Sequence, residues 1–575
     1  MSTTLPVRDR VGQTPDAFTE LREAIAGRLI LPGDTDYDRA RTPWLVNIEQ
    51  RPLGVLEVAH ADDVVAAVRW ARRHGLSVTA QPTGHAARSS LDGALMLRTR
   101  ALDEISVDQH ARTATVGAGV KFGELCAALD GTGLMALAGS NADPTVVGLS
   151  LGGGVSWFTR LHGFTANSVV SFDVVDADGH RTIVTEESDP DLFWALRGGG
   201  GDFAIVLGVT IALFEAPELY GGQLLWPIEH APAVLRAFRD LSAVAPRELT
   251  MWAHLLHFPD VDLVPEPLRG RSWVNIAATY VGGKAMAEIL LWSLRDAAPV
   301  AIDLMQPFAP SELTNVAAEP TDPTPALESS LLVSALDDQG IDDLLAAAGD
   351  RDTTALAVVQ IRQLGGAFAE MSPSHGAVRP VTEPFHVFGL GMLFVPELEA
   401  PVRAGLAALE AALGRLSSGH RLPNFCGEDQ RSNDGYDTER LERLRVIKRA
   451  RDPHGVIRSN KPVLASWMGG EEVEIGRRVL NEAGIPTFDY PDAAARVFAL
   501  MWRHSENLRA LYETPVSHAD EGGSRAKRDE ARKIINSAAK RGNLLTKEEC
   551  NAVLRAYDIP VNETLTAKSV EDAVA

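Results

Sequence analysis

Cysteine is scarce in this chain of 575 residues: there are three, Cys126, Cys426 and Cys550, far apart and with no CxxC pair. That excludes a disulfide framework and fits a reducing compartment. Basic residues are also short. The 55 Lys and Arg against 77 Asp and Glu give a net charge of −22, which argues against a non-specific nucleic-acid or anionic-membrane binder. No run of about 18 apolar residues offers a membrane span. The opening MSTTLPVRDRVGQTPD lacks the apolar core of a secretory signal. The expectation is a cytoplasmic protein with neither a membrane nor a nucleic acid as partner.

What is present is globular in composition, 45% hydrophobic and 23% charged, in a length that suits about three to four domains. Residues 16–28 have helical apolar spacing, and a turn-rich stretch follows at 31–44. Leu53–Ala59 reads as a strand. Asp62 and Asp63 open a helix, with Asp62 as the expected cap and Gly75 as the stop. Leu76–Ala80 and Gly93–Arg98 read as further strands, so the first layer is α/β. A helix is expected over Phe122–Leu129, where Cys126 reads as a small buried side chain rather than a nucleophile.

Two stretches carry chemistry. The first is AQPTGHAARSS, Ala80–Ser90, in which Gly84 precedes His85. Alone, a Gly-His pair is an ordinary turn, and its meaning depends on the second stretch. That one, residues 139–167, holds Gly148, then Gly152, Gly153 and Gly154 in a row, then Gly163. Glycines let a backbone approach a ligand closely, and consecutive free N–H groups satisfy phosphate oxygens; a tight turn beside a packed helix is the competing role. The spacing is neither the Rossmann GxGxxG nor the P-loop pattern. Beyond it, VSFDVVDADGHRTIVTE reads as a hairpin turning at Asp178-Gly179.

PTGH, then PTVVGLSLGGGVSWFTRLHG, then DLFWALRGGGGDFAIV, collinear over about residues 30–215, resemble the FAD-binding domain of berberine-bridge-enzyme-like oxidoreductases, of the vanillyl-alcohol-oxidase type. YDTERLERLRVIKRARDPHGVIRSN, Tyr436–Asn460, resembles the segment that returns to that domain, and IRQLGGAFAE, 361–370, also fits. The resemblance implies an α+β fold: a two-lobed FAD-binding domain and an antiparallel-sheet substrate lobe. It implies FAD as cofactor, a small-molecule substrate oxidised at a C–OH or C–N carbon, and molecular oxygen or another electron acceptor. It places cofactor contacts at Pro82, Thr83, Gly84, His85 and Ala86, at Gly139, Ser140, Gly148, Gly152 and Gly153, and at Val206 and Asn460. His85 matches the histidine that bonds the flavin covalently. Asn141-Ala142-Asp143-Pro144 carries no cysteine for a second bond, so one histidyl bond is expected. Tyr436 matches a tyrosine near the flavin and would serve as a base if its pKa were lowered; packed anchoring of the return helix is the alternative. Asn424 and Phe425 are placed near the ring. His254 and His257, three apart on one strand, fall on opposite faces and form no metal pair.

The expected organisation is a lead-in over 1–47, the FAD-binding domain over 48–215, the substrate lobe over 216–435 and the return segment over 436–460. From Lys461 the pattern changes. Residues 461–515 resemble an α/β fragment of NDP-forming acyl-CoA synthetases, 516–527 read as a linker, and 528–575 resemble the start of an ATP-grasp module, with a capping box at Thr546 and Glu549. Three functions stay open: an FAD-dependent oxidoreductase, a subunit related to acyl-CoA ligases, and a flavin-fold protein without catalysis.

Overall fold

The computed structural model describes residues 15–458 except positions 86, 88–90, 92, 217, 263, 371, 373, 428–429 and 431. Beyond them it describes 465–466, 487–488, 524–541 and 545–557. The chain divides into two compact units, Met1–Lys461 and Pro462–Ala575.

The first unit begins with α1 (Pro15–Ala24), β1 (Arg28–Ile30), β2 (Gly54–Glu57), α2 (Ala61–His74), β3 (Ser77–Ala80) and β4 (Ala94–Arg98). The strands form one sheet in the order β1-β2-β4-β3, with β2, β4 and β3 parallel. Helix α2 buries Val64, Ala67, Val68 and Ala71 against this sheet at helical spacing, and Gly75 closes it with φ 63°. Its start differs from the expected cap. The carboxylate of buried Asp63, not Asp62, accepts from the N–H groups of Ala26, Gly27, Ala59 and His60. The fold needs the inward-facing member of the pair, because only that one reaches the preceding loop.

A second sheet comprises β5 (Ile105–Asp108), β6 (Thr113–Gly117), β7 (Val169–Val175), β8 (Arg181–Val184) and β9 (Ile205–Ala212), in the order β5-β6-β9-β7-β8. The β7–β8 hairpin turns at Asp178-Gly179 as read from the sequence, with Gly179 at φ 80°. Helices α3 (Phe122–Ala128), α4 (Val146–Leu151) and α5 (Pro190–Leu196) pack on it. Cys126 is fully buried in α3, and burial pushes its thiol up to about 12.

Residues 219–392 form an eight-stranded antiparallel sheet where the substrate lobe is expected. Its long strands are β10 (Leu219–Pro227), β11 (Leu249–His257), β12 (Ser272–Val281), β13 (Ala326–Val333), β14 (Val358–Gln363) and β15 (Phe385–Met392), in the order β10-β12-β11-β14-β15-β13. Strands have period two, so each face takes alternate residues. Ala253, Leu255, Ile276, Val359, Ile361 and Val387 on one face pack with α6 (Ala231–Val244), α7 (Asp338–Ala348) and α8 (Glu399–Leu413). The other face carries Gln223, Asn275, Trp252, His254, Gln360, Arg362 and His386, all buried. Polar side chains on a covered face mark a site rather than a core.

The chain then runs back to its beginning. Helix α9 (Thr438–Arg451) pairs Arg443 with Asp191 and Arg451 with Asp189 of the second sheet's α5 region. Beyond it, Val78 of β3 donates to the carbonyl of Val456, and Arg458 donates to that of Val78. The return segment thereby becomes a parallel neighbour of β3.

In the second unit, α10 (Ser524–Ala539) packs on α11 (Lys547–Ala556). The capping box at Thr546 and Glu549 is formed, and Ala465–Ser466 pairs in parallel with Thr487–Phe488.

Candidate cofactor and substrate site

The PTGH loop leaves β3 and turns at Gly84, whose φ is +86°. A Cβ there would lie 2.7 Å from Pro43 Cβ, so the position is restricted by space as well as by conformation. No acceptor among the described residues takes the N–H groups of Thr83, Gly84 or His85. Three consecutive N–H groups without acceptors among the described residues, beside a left-handed glycine, make a concave donor for an anion. Pro82 shapes the turn and makes no polar contact of its own; Ala86 and Asn460 lie outside the described residues.

His85 is held on two sides. Its ring stacks on Trp44 at 4.3 Å with an interplanar angle of 21°. Its Nε2 lies 3.2 Å from Asp143 Oδ2. Asp143 also accepts a short hydrogen bond from Lys121 Nζ. Burial pushes the Asp143 carboxyl up, but the bonds from His85 and Lys121 outweigh it and leave the pKa below the ordinary value. The Asp143 N–H is tied to Asn141 Oδ1, and Asn141 Nδ2 donates to the Pro320 carbonyl. The carboxylate is therefore fixed, and it faces the histidine with a full charge.

Between 148 and 154 the glycine-rich stretch is a tight turn after a short helix, and its N–H groups there are spoken for. Gly148 donates to Thr145 Oγ1, Gly152 and Gly153 to the Ser150 carbonyl, and Gly154 to Asn424 Oδ1. Over 148–154 no run of free donors exists among the described residues, because α4 and its cap consume them. The glycines serve shape: Gly153 and Gly154 have φ of +103° and +80°. Val378 Cγ1 stands 2.8 Å from where a Gly153 Cβ would be and 2.7 Å from where a Gly198 Cβ would be. Gly139 and Ser140 come just before, and the Ser140 hydroxyl donates to Glu319. Val206 lies in β9 with its side chain in the core that also holds Ala138, Val146 and Trp157. The structure thus brings His85 together with the 139–154 stretch. Val206 stands behind that stretch as packing.

Tyr436 requires a correction. Its hydroxyl donates to the Gly198 carbonyl at 2.8 Å, and burial pushes its pKa up rather than down. A base needs the opposite shift. The tyrosine anchors the start of α9 to the glycine turn at 198–201.

Opposite these loops stands the polar face of the large sheet. Arg362 is 2% exposed. Its Cζ lies over the rings of Trp252 (4.3 Å) and Phe425 (4.2 Å). Its Nε and Nη2 donate to Gln360 Oε1, and Glu319 lies 3.7 Å from Nη2. Among the described residues Arg362 Nη1, both ring nitrogens of His254 and both of His386 have no partner. Asn424 and Phe425 do sit here, Asn424 bridging Gly154 and Leu149. His257 points to the other face, bonded to Ser272 and to the Ala348 carbonyl.

The sequence reading did not find Trp44, Lys121, Asp143, Arg362 or His386. A signal existed for the sheet residues: Trp252/His254, Gln360/Arg362 and His386/Phe388 alternate with apolar neighbours at period two. Asp143 had only its place before Pro144 and Thr145.

Burial lowers the pKa of His254 to about 3, with the Arg362 charge adding to it, and puts His386 well below its ordinary value for the same reasons. Both rings are neutral in the fold, whereas in the unfolded chain they take protons below about pH 6.5. The unfolded state binds more protons in that window. Their contribution is therefore complete above about pH 6.5 and is lost as pH falls toward the folded pKa, by about 1 kcal/mol per pH unit for each ring. His254→Gln is expected to flatten the acid side of the stability profile, measured by urea unfolding at pH values from about 6.5 down to about 4. A profile as steep as that of the wild type would refute it.

Residues 52–185 match the family described as FAD binding domain. The chain is 29% identical over 268 residues to (R)-6-hydroxynicotine oxidase of Paenarthrobacter nicotinovorans, covering 46% of this chain and 57% of that protein. It is 34% identical over 224 residues to glucooligosaccharide oxidase of Sarocladium strictum, covering 37% and 45%. The chain thus spans about half the length of these curated relatives. Among solved structures, BBE-like 1 of Physcomitrella patens superposes with a TM-score of 0.67 at 19% identity, over 77% of this chain and 97% of that one. No helix among the described residues is long and apolar enough to cross a membrane. The N–H groups at 83–85 and the polar atoms of the facing sheet, without partners among the described residues, together with the glycine turn, suit a flavin. The chain carries an FAD-binding domain at residues 52–185, within the two-lobed α+β fold of berberine-bridge-enzyme-like flavoproteins.

Proposed function

We propose that the protein is an FAD-dependent oxidoreductase acting on a small molecule at a C–OH or C–N carbon, with its FAD bonded through His85. The observation that carries the reading is the setting of His85, between the Trp44 ring and the ionised Asp143, next to three N–H groups that have no acceptor among the described residues. FAD, when bound, supplies the hydride acceptor, and molecular oxygen or another acceptor restores it. The chain does the rest. The N–H groups of Thr83, Gly84 and His85 receive the pyrophosphate. Asp143 takes the hydrogen bond from Nε2, which fixes the tautomer and leaves Nδ1 as the nitrogen free to bond the cofactor. Gly139, Ser140, Gly148, Gly152 and Gly153 form the wall along the ring, backed by Val206. The polar sheet face receives the substrate. The test is acid precipitation of the purified full-length protein: yellow colour retained in the pellet, on a peptide containing His85, is expected. Complete release of FAD would overturn the covalent bond, and colourless protein would overturn the oxidoreductase reading.

We also propose that the residues after Lys461 are an appended unit outside this chemistry. Their resemblance to acyl-CoA synthetases is read here as descent, with no ligase activity attached. The division of the chain at Lys461 and Pro462 supports this. A chain cut after Ser466 is expected to keep its flavin content and melting temperature. Loss of either would make the unit an integral part of the enzyme.

A further inference from the structure

The buried arginine on the substrate face has a geometry that selects a ligand. The Arg362 Cζ lies over the Trp252 ring at 4.3 Å and over the Phe425 ring at 4.2 Å. Gln360 takes the edge formed by Nε and Nη2. What is left is Nη1, buried and unpartnered among the described residues. Along the strands, Trp252 pairs with Arg362 and Arg362 with His386, while His254 pairs with Gln360 in the next row. Both imidazoles lie close enough to feel the Arg362 charge, and neither has a partner among the described residues. A neutral imidazole offers one N–H and one lone pair. Glu319, the nearest carboxylate, lies 3.7 Å from Nη2, and its two oxygens already accept from Ser140 and Gln360. A guanidinium packed against two aromatic rings with one N–H donor left over is best met by an oxygen in line with that donor, the geometry of a carboxylate oxygen. Glu319 already balances the Nη2 side of the group, so what a ligand must satisfy is the buried Nη1 donor, and a carboxylate oxygen meets it with a charge-assisted hydrogen bond.

We infer that the substrate of this enzyme carries a carboxylate, which Arg362 Nη1 receives in the guanidinium plane with an imidazole N–H of His386 or His254 on its second oxygen. This deepens the oxidoreductase reading and rests on it for the identity of the pocket. The carboxylate is a handle and takes no part in bond making. It holds the substrate by the sheet so that its C–OH or C–N carbon faces the cofactor side.

Benzoate and its uncharged isostere benzamide are the probes, titrated by calorimetry into the full-length protein as purified. Benzoate is expected to bind about 10- to 100-fold more tightly, the value of one charge-assisted hydrogen bond. Arg362→Met should abolish the difference between the two. Arg362→Lys keeps a charge but not the in-plane donor, and should weaken benzoate about 10-fold; it decides the matter if the methionine variant fails to fold. Equal binding of the two probes by the wild type, no binding of benzoate, or an undiminished preference in the variants would each overturn the inference. The flavin-to-protein ratio of the same sample reports separately on the oxidoreductase reading. A protein that prefers benzoate but holds no flavin would leave the arginine site standing and remove the enzyme around it.

Discussion

Replacing His85 by alanine is expected to turn a protein that keeps its colour through acid precipitation into one that releases all its FAD. The fold should survive, because the loop's shape comes from Gly84 and from the Trp44 N–H donating to the Thr83 carbonyl, neither of which uses the imidazole. The donors for the pyrophosphate are backbone groups and also remain. Turnover should fall by about 10-fold or more, since a covalent flavin is held in register and its oxidising power is set in part by that bond. Asp143→Asn separates the anchor from its orientation. The amide keeps the size and loses the charge, so His85 is no longer held in one tautomer and Lys121 loses its counter-ion. Slower incorporation, by about 10- to 100-fold, with normal melting is the expected result. Mass spectrometry of denatured protein over time measures both variants. An Asp143→Asn protein that acquires covalent flavin at the wild-type rate would remove the carboxylate from the scheme.

Gly153→Val is expected to be the most damaging single change in the glycine stretch. The residue sits at φ +103°, where a β-branched side chain is strained, and its Cβ would stand 2.8 Å from Val378 and 3.3 Å from Phe164. Strain and overpacking together cost about 2–6 kcal/mol, against the ~5–15 kcal/mol that holds a typical fold. Apo protein, a lowered melting temperature or insoluble product is expected. Gly139→Ala is the contrast: its φ is not positive, and the nearest atoms to a new Cβ are 3.6 Å away, so its melting temperature should barely move. Equal behaviour of the two variants by calorimetry and flavin content would show that the close approach at Gly153 is not what the fold depends on.

What the sequence revealed and what it hid follow from the range of the interactions involved. The βαβ opening, the hairpin at Asp178-Gly179 and the Gly75 stop are local, set by period, turn residues and caps, and they were legible. So were the two loops, because their glycines mark positions where the backbone must go left-handed or come close. Where the freed N–H groups point was not legible. A glycine run shows that a Cβ is unwelcome, and at Gly152 and Gly153 the reason is Asn424 and Val378 arriving from far along the chain. The Asp143 carboxylate was passed over because its partners, His85 and Lys121, stand on other segments. Tyr436 was open to two roles, and only the bond to Gly198 and the raised pKa separate them. The sheet residues alternate in sequence as on any half-buried strand; only the strand order puts Trp252, Arg362 and His386 in one row.

The bonds between Val78 and Val456–Arg458 bear on how the protein is made. The first sheet is among the earliest parts to leave a ribosome, yet its edge at β3 waits for a segment translated after the whole eight-stranded sheet. Throughout synthesis, β3 presents an unpaired edge and an apolar surface that Val456 and Ile457 later cover. Long-range closure of this kind folds slowly and exposes sticky surface meanwhile. Cofactor loading should then follow chain completion rather than accompany it. Expression yield should respond to temperature and chaperone supply well before any change in the stability of the finished fold is felt.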